Sequence, residues 1–238
     1  MEVWKALDLK EGDIVSFVGG GGKTTTIFKL AKELKALNKR VLLTTTTAIY
    51  EPEEESYDYY FLGAIDDFLP AAGTITILGH RVKAGKLLGP SPAIIDGIAK
   101  KQLFDFILIE ADGSKRKPIK AYAYYEPVIP SCSTRTIGLI GLDCLGRQIK
   151  DIVHRPEKFA EIIGAHLDDV VDENMVVKLI LDNKGLFKSS RGRRVLLLNK
   201  AREKNLIGQG IKIIKKIYQE GFKGIALVGD VMSNKFYK

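Results

Sequence analysis

Cysteine is scarce: only Cys132 and Cys144 occur among 238 residues. Two thiols make no disulfide framework, and a chain this long can bury a core without one. They are also too far apart for a C-x-x-C metal site, and inert thiols are the expectation. Histidine is limited to His80, His154 and His166. None has a partner at metal-ligand spacing, so no zinc site is expected. Long apolar runs are missing too, and nothing approaches the roughly 20 residues of a membrane span. The first residues lack a basic stretch leading into an apolar one, so no secretory signal is visible. A soluble, cytoplasmic chain with no membrane partner is therefore expected. There is no internal repeat and no low-complexity linker. With 45% hydrophobic and 28% charged residues, the composition excludes a mainly disordered chain.

Charge is what the sequence has in excess, at +8. Residues 188–223 hold eleven Lys and Arg against Glu203 and Glu220, a net of +9, so the rest of the chain is close to neutral. No aromatic-interleaved groove accompanies this stretch, so no nucleic-acid partner is expected. It reads as one basic C-terminal face, solvated or docking an acidic partner.

Seven short apolar runs without polar alternation read as buried parallel strands: 14–18, 41–46, 74–78, 106–109, 137–142, 195–198 and 225–228. Helical patterns cover 24–37, 92–103, 156–163, 168–181 and 206–218. The last places Ile207, Ile211, Ile214 and Tyr218 on one face. Ser91 before Pro92 reads as a helix N-cap. Residues 51–60 are acidic and Tyr-rich and read as an exposed excursion. Residues 143–192 show helices and no confident strand, and read as a small helical insertion or cap within a single domain over 1–238. Strands alternating with helices imply an α/β fold: a three-layer, mainly parallel sheet with helices on both faces.

The strongest local signal is a strand running into Gly19, Gly20, Gly21 and Gly22, then Lys23, Thr24 and Thr25, then an amphipathic helix. Glycines let backbone N–H groups curl around phosphate oxygens, and the helix N-terminus adds unpaired donors. Lys23 would reach the phosphates and Thr24 would offer a hydroxyl to Mg²⁺. The full phosphate-loop pattern wants Gly at position 17, where this chain has Phe17. The shortened form resembles the loop of Mur-type peptide ligases.

A second constellation ends the strand at 106–109 with Glu110 and Asp112. Two residues apart in an extended chain, they point the same way. Both are candidate Mg²⁺ ligands or catalytic acids. Lys115 and Arg116 follow, suited to an anionic substrate or a transferring phosphoryl group. Thr46 ends a strand where ligands approach open sheets. His154 and Arg155 open a helix and are further substrate candidates. Asn199 and Lys200 resemble the start of a guanine-reading Asn-Lys-x-Asp motif. Arg202 stands where that motif needs an acceptor, so ATP is favoured over GTP.

The stretches 19–26, 42–47, 110–120, 126–130, 141–146, 154–157 and 195–200 occur in an order that resembles the selenium-dependent hydroxylase accessory protein family, YqeC type. The resemblance runs from about Ile14 to Val231. It implies a P-loop NTPase-like protein that helps mature molybdenum hydroxylases requiring labile selenium, with such a hydroxylase or its cofactor as client. It carries Gly22, Lys23 and Thr24 over as nucleotide binders, and Glu110 and Asp112 as Mg²⁺ or catalytic acids. Three functions stay open. One is an ATP-hydrolysing, Mg²⁺-dependent maturation factor. Another is a small-molecule kinase or ATP-dependent ligase. The third is a non-catalytic nucleotide-sensing chaperone.

Overall fold

Apolar runs too continuous to face water become the strands of one large sheet. The computed structural model describes residues 1–237. Short helix α1 (Val3–Ala6) precedes strand β1 (Ile14–Gly19), helix α2 (Lys23–Ala36) and strand β2 (Arg40–Thr45). Strands β3 (Ala48–Tyr50), β4 (Tyr59–Leu62), β5 (Thr74–Gly79), β6 (Arg81–Lys83) and β7 (Lys86–Leu88) lead to α3 (Pro92–Lys100). Next come β8 (Phe106–Glu110), β9 (Ile119–Lys120) and β10 (Arg135–Gly141). Helix α4 (Ile149–Ile152), strand β11 (Val153–His154), α5 (Pro156–Ile163) and α6 (Glu173–Leu181) precede β12 (Arg193–Asn199). The described chain closes with α7 (Lys204–Gln219), β13 (Ile225–Asp230) and β14 (Lys235–Tyr237).

Nine strands form the main sheet, in the order β14-β13-β12-β10-β1-β8-β2-β5-β4. Every neighbouring pair is parallel except β13 with β14. Alternate residues of each strand feed opposite faces. On β8, Phe106 and Leu108 pack with Leu30 and Leu34 of α2, while Ile107 and Ile109 pack with Ile95 and Ile98 of α3. On β12, Leu196 and Leu198 meet Ile213 and Ile217 of α7. The fold is therefore mixed α/β, with helices against both faces of a mainly parallel sheet. β3, β7 and β6 form a separate antiparallel sheet. It sits past the end of β2 in sequence and supplies part of the wall described below.

Some expectations shift. The buried face of α7 is Gly210, Ile213, Ile214 and Ile217, whereas Ile211 and Tyr218 are exposed. Gly210 sets this rotation, because a Cβ there would come within 2.7 Å of the Val228 side chain. Within 143–192 a two-residue strand does form, β11, which pairs with β9. Ser91 stands at the start of α3, yet its hydroxyl makes no capping bond. In 51–60 the acids are exposed, but Tyr59 and Tyr60 join the sheet edge as part of β4. The basic C-terminal stretch is spread along β12 and α7. Arg193 and Lys200 bracket β12, roughly 20 Å apart at strand rise. Both are paired, Arg193 with Asp8 and Lys200 with Asp143. Among the described residues, no helix is long and apolar enough to cross a membrane.

Candidate functional site

In a parallel sheet the strand ends that face the same way gather their loops at one edge, where ligands of open α/β sheets bind. The ends of β1, β2, β8, β10 and β12 meet there. Gly19 closes β1 and Lys23 opens α2, leaving three residues for the turn. The tightness of that turn explains its glycines. Gly21 has φ +79°, and a Cβ on it would sit 2.1 Å from the Gly141 amide nitrogen at the end of β10. Gly19 has φ +94°, and a Cβ there would sit 2.3 Å from the Leu139 carbonyl. Phe17, where the longer motif has glycine, is fully buried in the core beneath.

Hydrogen bonds divide the loop in two. The Gly19 amide donates to Asp112, the Gly20 amide to the Leu139 carbonyl and the Gly21 amide to the Lys117 carbonyl. Those three glycines are thus clamped to the protein. Gly22, Lys23, Thr24 and Thr25 instead line a cavity of about 770 Å³. The first-turn amides of α2 point out of the helix start with no helical acceptor.

Lys23 is 3% exposed. Its ammonium donates to the Gly19 carbonyl at 2.6 Å and lies 2.8 Å from Asp112 and 3.8 Å from Glu110. Burial opposes its charge, but the two carboxylates outweigh burial and hold its pKa above the ordinary lysine value. Glu110 is raised above the ordinary carboxylate value, chiefly by burial, which the nearby Lys23 only partly offsets. Its other oxygen accepts the Thr24 hydroxyl at 2.7 Å. Glu110 thus faces the cavity while Asp112 sits behind it, tying the loop to Lys23.

The pairing continues past Asp112. Lys120 is fully buried, 3.8 Å from Asp112 and 3.3 Å from Glu126, and donates to the Gly113 carbonyl at 2.6 Å. Glu126 in turn takes Arg155 at 3.0 Å. The result is an alternating line of charge: Glu110, Lys23, Asp112, Lys120, Glu126, Arg155. Burial lowers the Lys120 pKa despite its two carboxylates. Burial and the nearby Lys120 and Arg155 push His154 down to about 4, so its imidazole is neutral at pH 7. Spacing alone does not announce Lys120 or Glu126. The only signal is that both fall inside stretches that carry the family resemblance. Tyr50 and Lys86, also on the cavity wall, arrive through the small sheet and have no such signal.

The remaining candidates divide. Lys115, Arg116, His154 and Lys200 line the cavity. Asn199 lies under the loop, where its amide donates to the Gly21 carbonyl and accepts from the Val231 amide. Arg155 packs behind the wall on Glu126, and the Thr46 hydroxyl donates to the Val128 carbonyl. Arg202 is paired with Asp230. Both thiols are free. Burial, then Asp96, pushes Cys132 up to about 12, and burial raises Cys144 as well. Neither is a thiolate at neutral pH. No group of three or more His, Cys, Asp or Glu suited to a metal is found among the described residues.

Fold and site together define an α/β protein in which a glycine loop, a buried lysine and two carboxylates meet at the carboxyl edge of a parallel sheet. The family model described as YqeC protein matches residues 15–157, which include the loop and the charged line through Arg155. The chain is 35% identical over 234 residues to YqeC of Escherichia coli (strain K12), covering 94% of this chain and 90% of that protein. The chain belongs to the YqeC family.

Proposed function

We propose that this chain is a P-loop NTPase-like accessory protein that binds ATP with Mg²⁺ at the glycine loop and hydrolyses it. The observation that carries this reading is the Lys23 ammonium, held between Glu110 and Asp112 at the start of α2 and at the cavity wall. An anionic ligand at the helix start would compete for that ammonium and for the first-turn amides. Membership of the YqeC family supports an accessory role in the context of selenium-dependent hydroxylases, and in this reading a molybdenum hydroxylase or its cofactor is the client.

The donors suit Mg²⁺. That ion is held through one or two protein oxygens plus substrate phosphates and water, rather than by an all-protein cage. The Thr24 hydroxyl would hold the ion, and the Glu110 carboxylate, 2.7 Å from that hydroxyl, would reach it through a water. When bound there, Mg²⁺ would offset phosphate charge. Glu110, whose burial raises its pKa, is the group at the cavity suited to orient a water and take its proton. Asp112 positions Lys23 and the Gly19 amide. ATP is preferred over GTP in this reading, because the Asn199 amide is spent on the backbone and Arg202 offers no acceptor.

The test is a nucleotide-binding panel with phosphate release, Mg²⁺ present. Lys23→Ala should weaken ATP binding by about a hundredfold or more, since it removes the main cation facing the phosphates. Unchanged affinity in a folded Lys23→Ala protein would overturn the proposal. Binding without turnover, even with a candidate client present, would leave only a nucleotide sensor.

A further inference from the structure

We infer that the cavity holds a second anion site, distinct from the glycine loop, built by Lys86, Lys115, Arg116 and Tyr50. It takes a small molecule bearing a phosphate or carboxylate group. That this molecule is a co-substrate rests on the nucleotide reading above; that it binds does not.

The cations here differ from every other cation on the cavity wall. Lys23 is paired with Asp112, and Lys200 with Asp143. Lys86, Lys115 and Arg116 have no carboxylate within 4.0 Å among the described residues, as the ion pairs around the cavity all involve other side chains. All three are exposed at the cavity lining. Two separate chain segments bring them together. Tyr50 on β3 and Lys86 on β7 are paired across the small sheet. The Arg116 guanidinium lies 4.5 Å from the Tyr50 ring centroid and the Lys86 ammonium 5.6 Å from it. One ring thus carries two cations with no carboxylate beside either, and an anion between them would offset their mutual repulsion.

The backbone adds an independent sign. The Lys117 amide donates to the Ser114 carbonyl at 2.9 Å, closing a tight turn. Its central residues, Lys115 and Arg116, have φ +46° and +62°. Turns with two left-handed residues favour Asn and Gly, because the Cβ of any other residue crowds the backbone in that region. This chain instead puts two long cations there. Residues held in sparsely populated backbone regions cluster at ligand sites, and these two stand on the cavity wall.

The probe is inorganic phosphate, titrated calorimetrically at low ionic strength into the full chain, alone and saturated with the non-hydrolysable ATP analogue AMP-PNP and Mg²⁺. Phosphate should still bind the AMP-PNP-saturated protein. With AMP-PNP and Mg²⁺ saturating the loop, the double variant Lys86→Ala/Arg116→Ala should bind phosphate at least about tenfold more weakly than wild type while keeping its AMP-PNP affinity. Both residues are exposed, so folding should survive. Complete displacement of phosphate by AMP-PNP would overturn the inference, because these cations would then belong to the nucleotide's own site. Wild-type phosphate affinity in the AMP-PNP-saturated double variant would overturn it too. Should AMP-PNP fail to bind while phosphate binding still depends on Lys86 and Arg116, the nucleotide reading fails and the second anion site stands.

Discussion

The line of charge holds two buried lysines, each between two carboxylates, and they behave in opposite ways. At the loop end, Lys23 keeps its charge: the Asp112 and Glu110 carboxylates outweigh the burial penalty. At the far end, Lys120 is as buried, yet burial prevails and its pKa falls. The two share Asp112. Lys23 stands 2.8 Å from it, whereas Lys120 stands 3.8 Å away and is also repelled by Lys23. Distance and neighbours, not burial, decide which lysine is stabilised as a cation. A charged Lys23 is what the proposed phosphate site needs, and Lys120 ties Asp112 to Glu126 behind it.

The largest expected effect tests the loop end chemically. Glu110→Gln should reduce ATP turnover by about 10²–10⁴-fold, as loss of a general base does, while ATP affinity stays close to wild type. Full turnover in this variant would remove Glu110 from the chemistry. The same substitution should not lower stability at neutral pH. The raised pKa means that the protein disfavours the Glu110 charge, and that cost fades as pH falls through the raised value towards 4.5.

Lys23→Met comes next, and it bears on stability. Removing one partner of a buried ionic group leaves carboxylates uncompensated and costs about 3–5 kcal/mol. Urea unfolding at pH 7 would measure it. A loss under about 1 kcal/mol would mean that Asp112 and Glu110 are satisfied without Lys23.

Much of this was legible before the fold was known. The seven main parallel strands were visible because doubly covered strands read as unbroken apolar runs, and the meeting of Lys23, at a strand-to-helix turn, with Glu110 and Asp112, at a neighbouring strand end, follows from the same pattern. Edge strands such as Tyr59–Leu62 and Lys235–Tyr237 were not visible, because a strand covered on fewer sides needs no apolar run. The orientation of α7 was misread for a related reason. Its face is chosen by a close approach at Gly210, which carries no hydrophobic signal of its own. Lys120, Glu126 and Lys86 escaped because charged residues read as solvated. Only the closed fold shows Lys120 buried between two carboxylates and Lys86 beside Tyr50.

The smallest expected effect is the sharpest for the comparison. Lys120→Met leaves Asp112 with Lys23 and Glu126 with Arg155. The loss is then mainly hydrogen bonds, such as that to the Gly113 carbonyl, or about 1–2 kcal/mol at pH 7. That is well below the cost of Lys23→Met. The two lysines should also part company with pH. Lys23 has a raised pKa, so its contribution is fully present below 10.5 and is lost as pH rises through its folded value. Lys120 has a lowered pKa, so its protonated form costs stability, and that cost disappears as pH rises through its folded value towards 10.5. Wild type should therefore gain on Lys120→Met between neutral pH and 10.5 in urea midpoints measured across that window. A constant gap between the two proteins would show that Lys120 titrates as an ordinary lysine, and the contrast between the two ends would then be one of position alone.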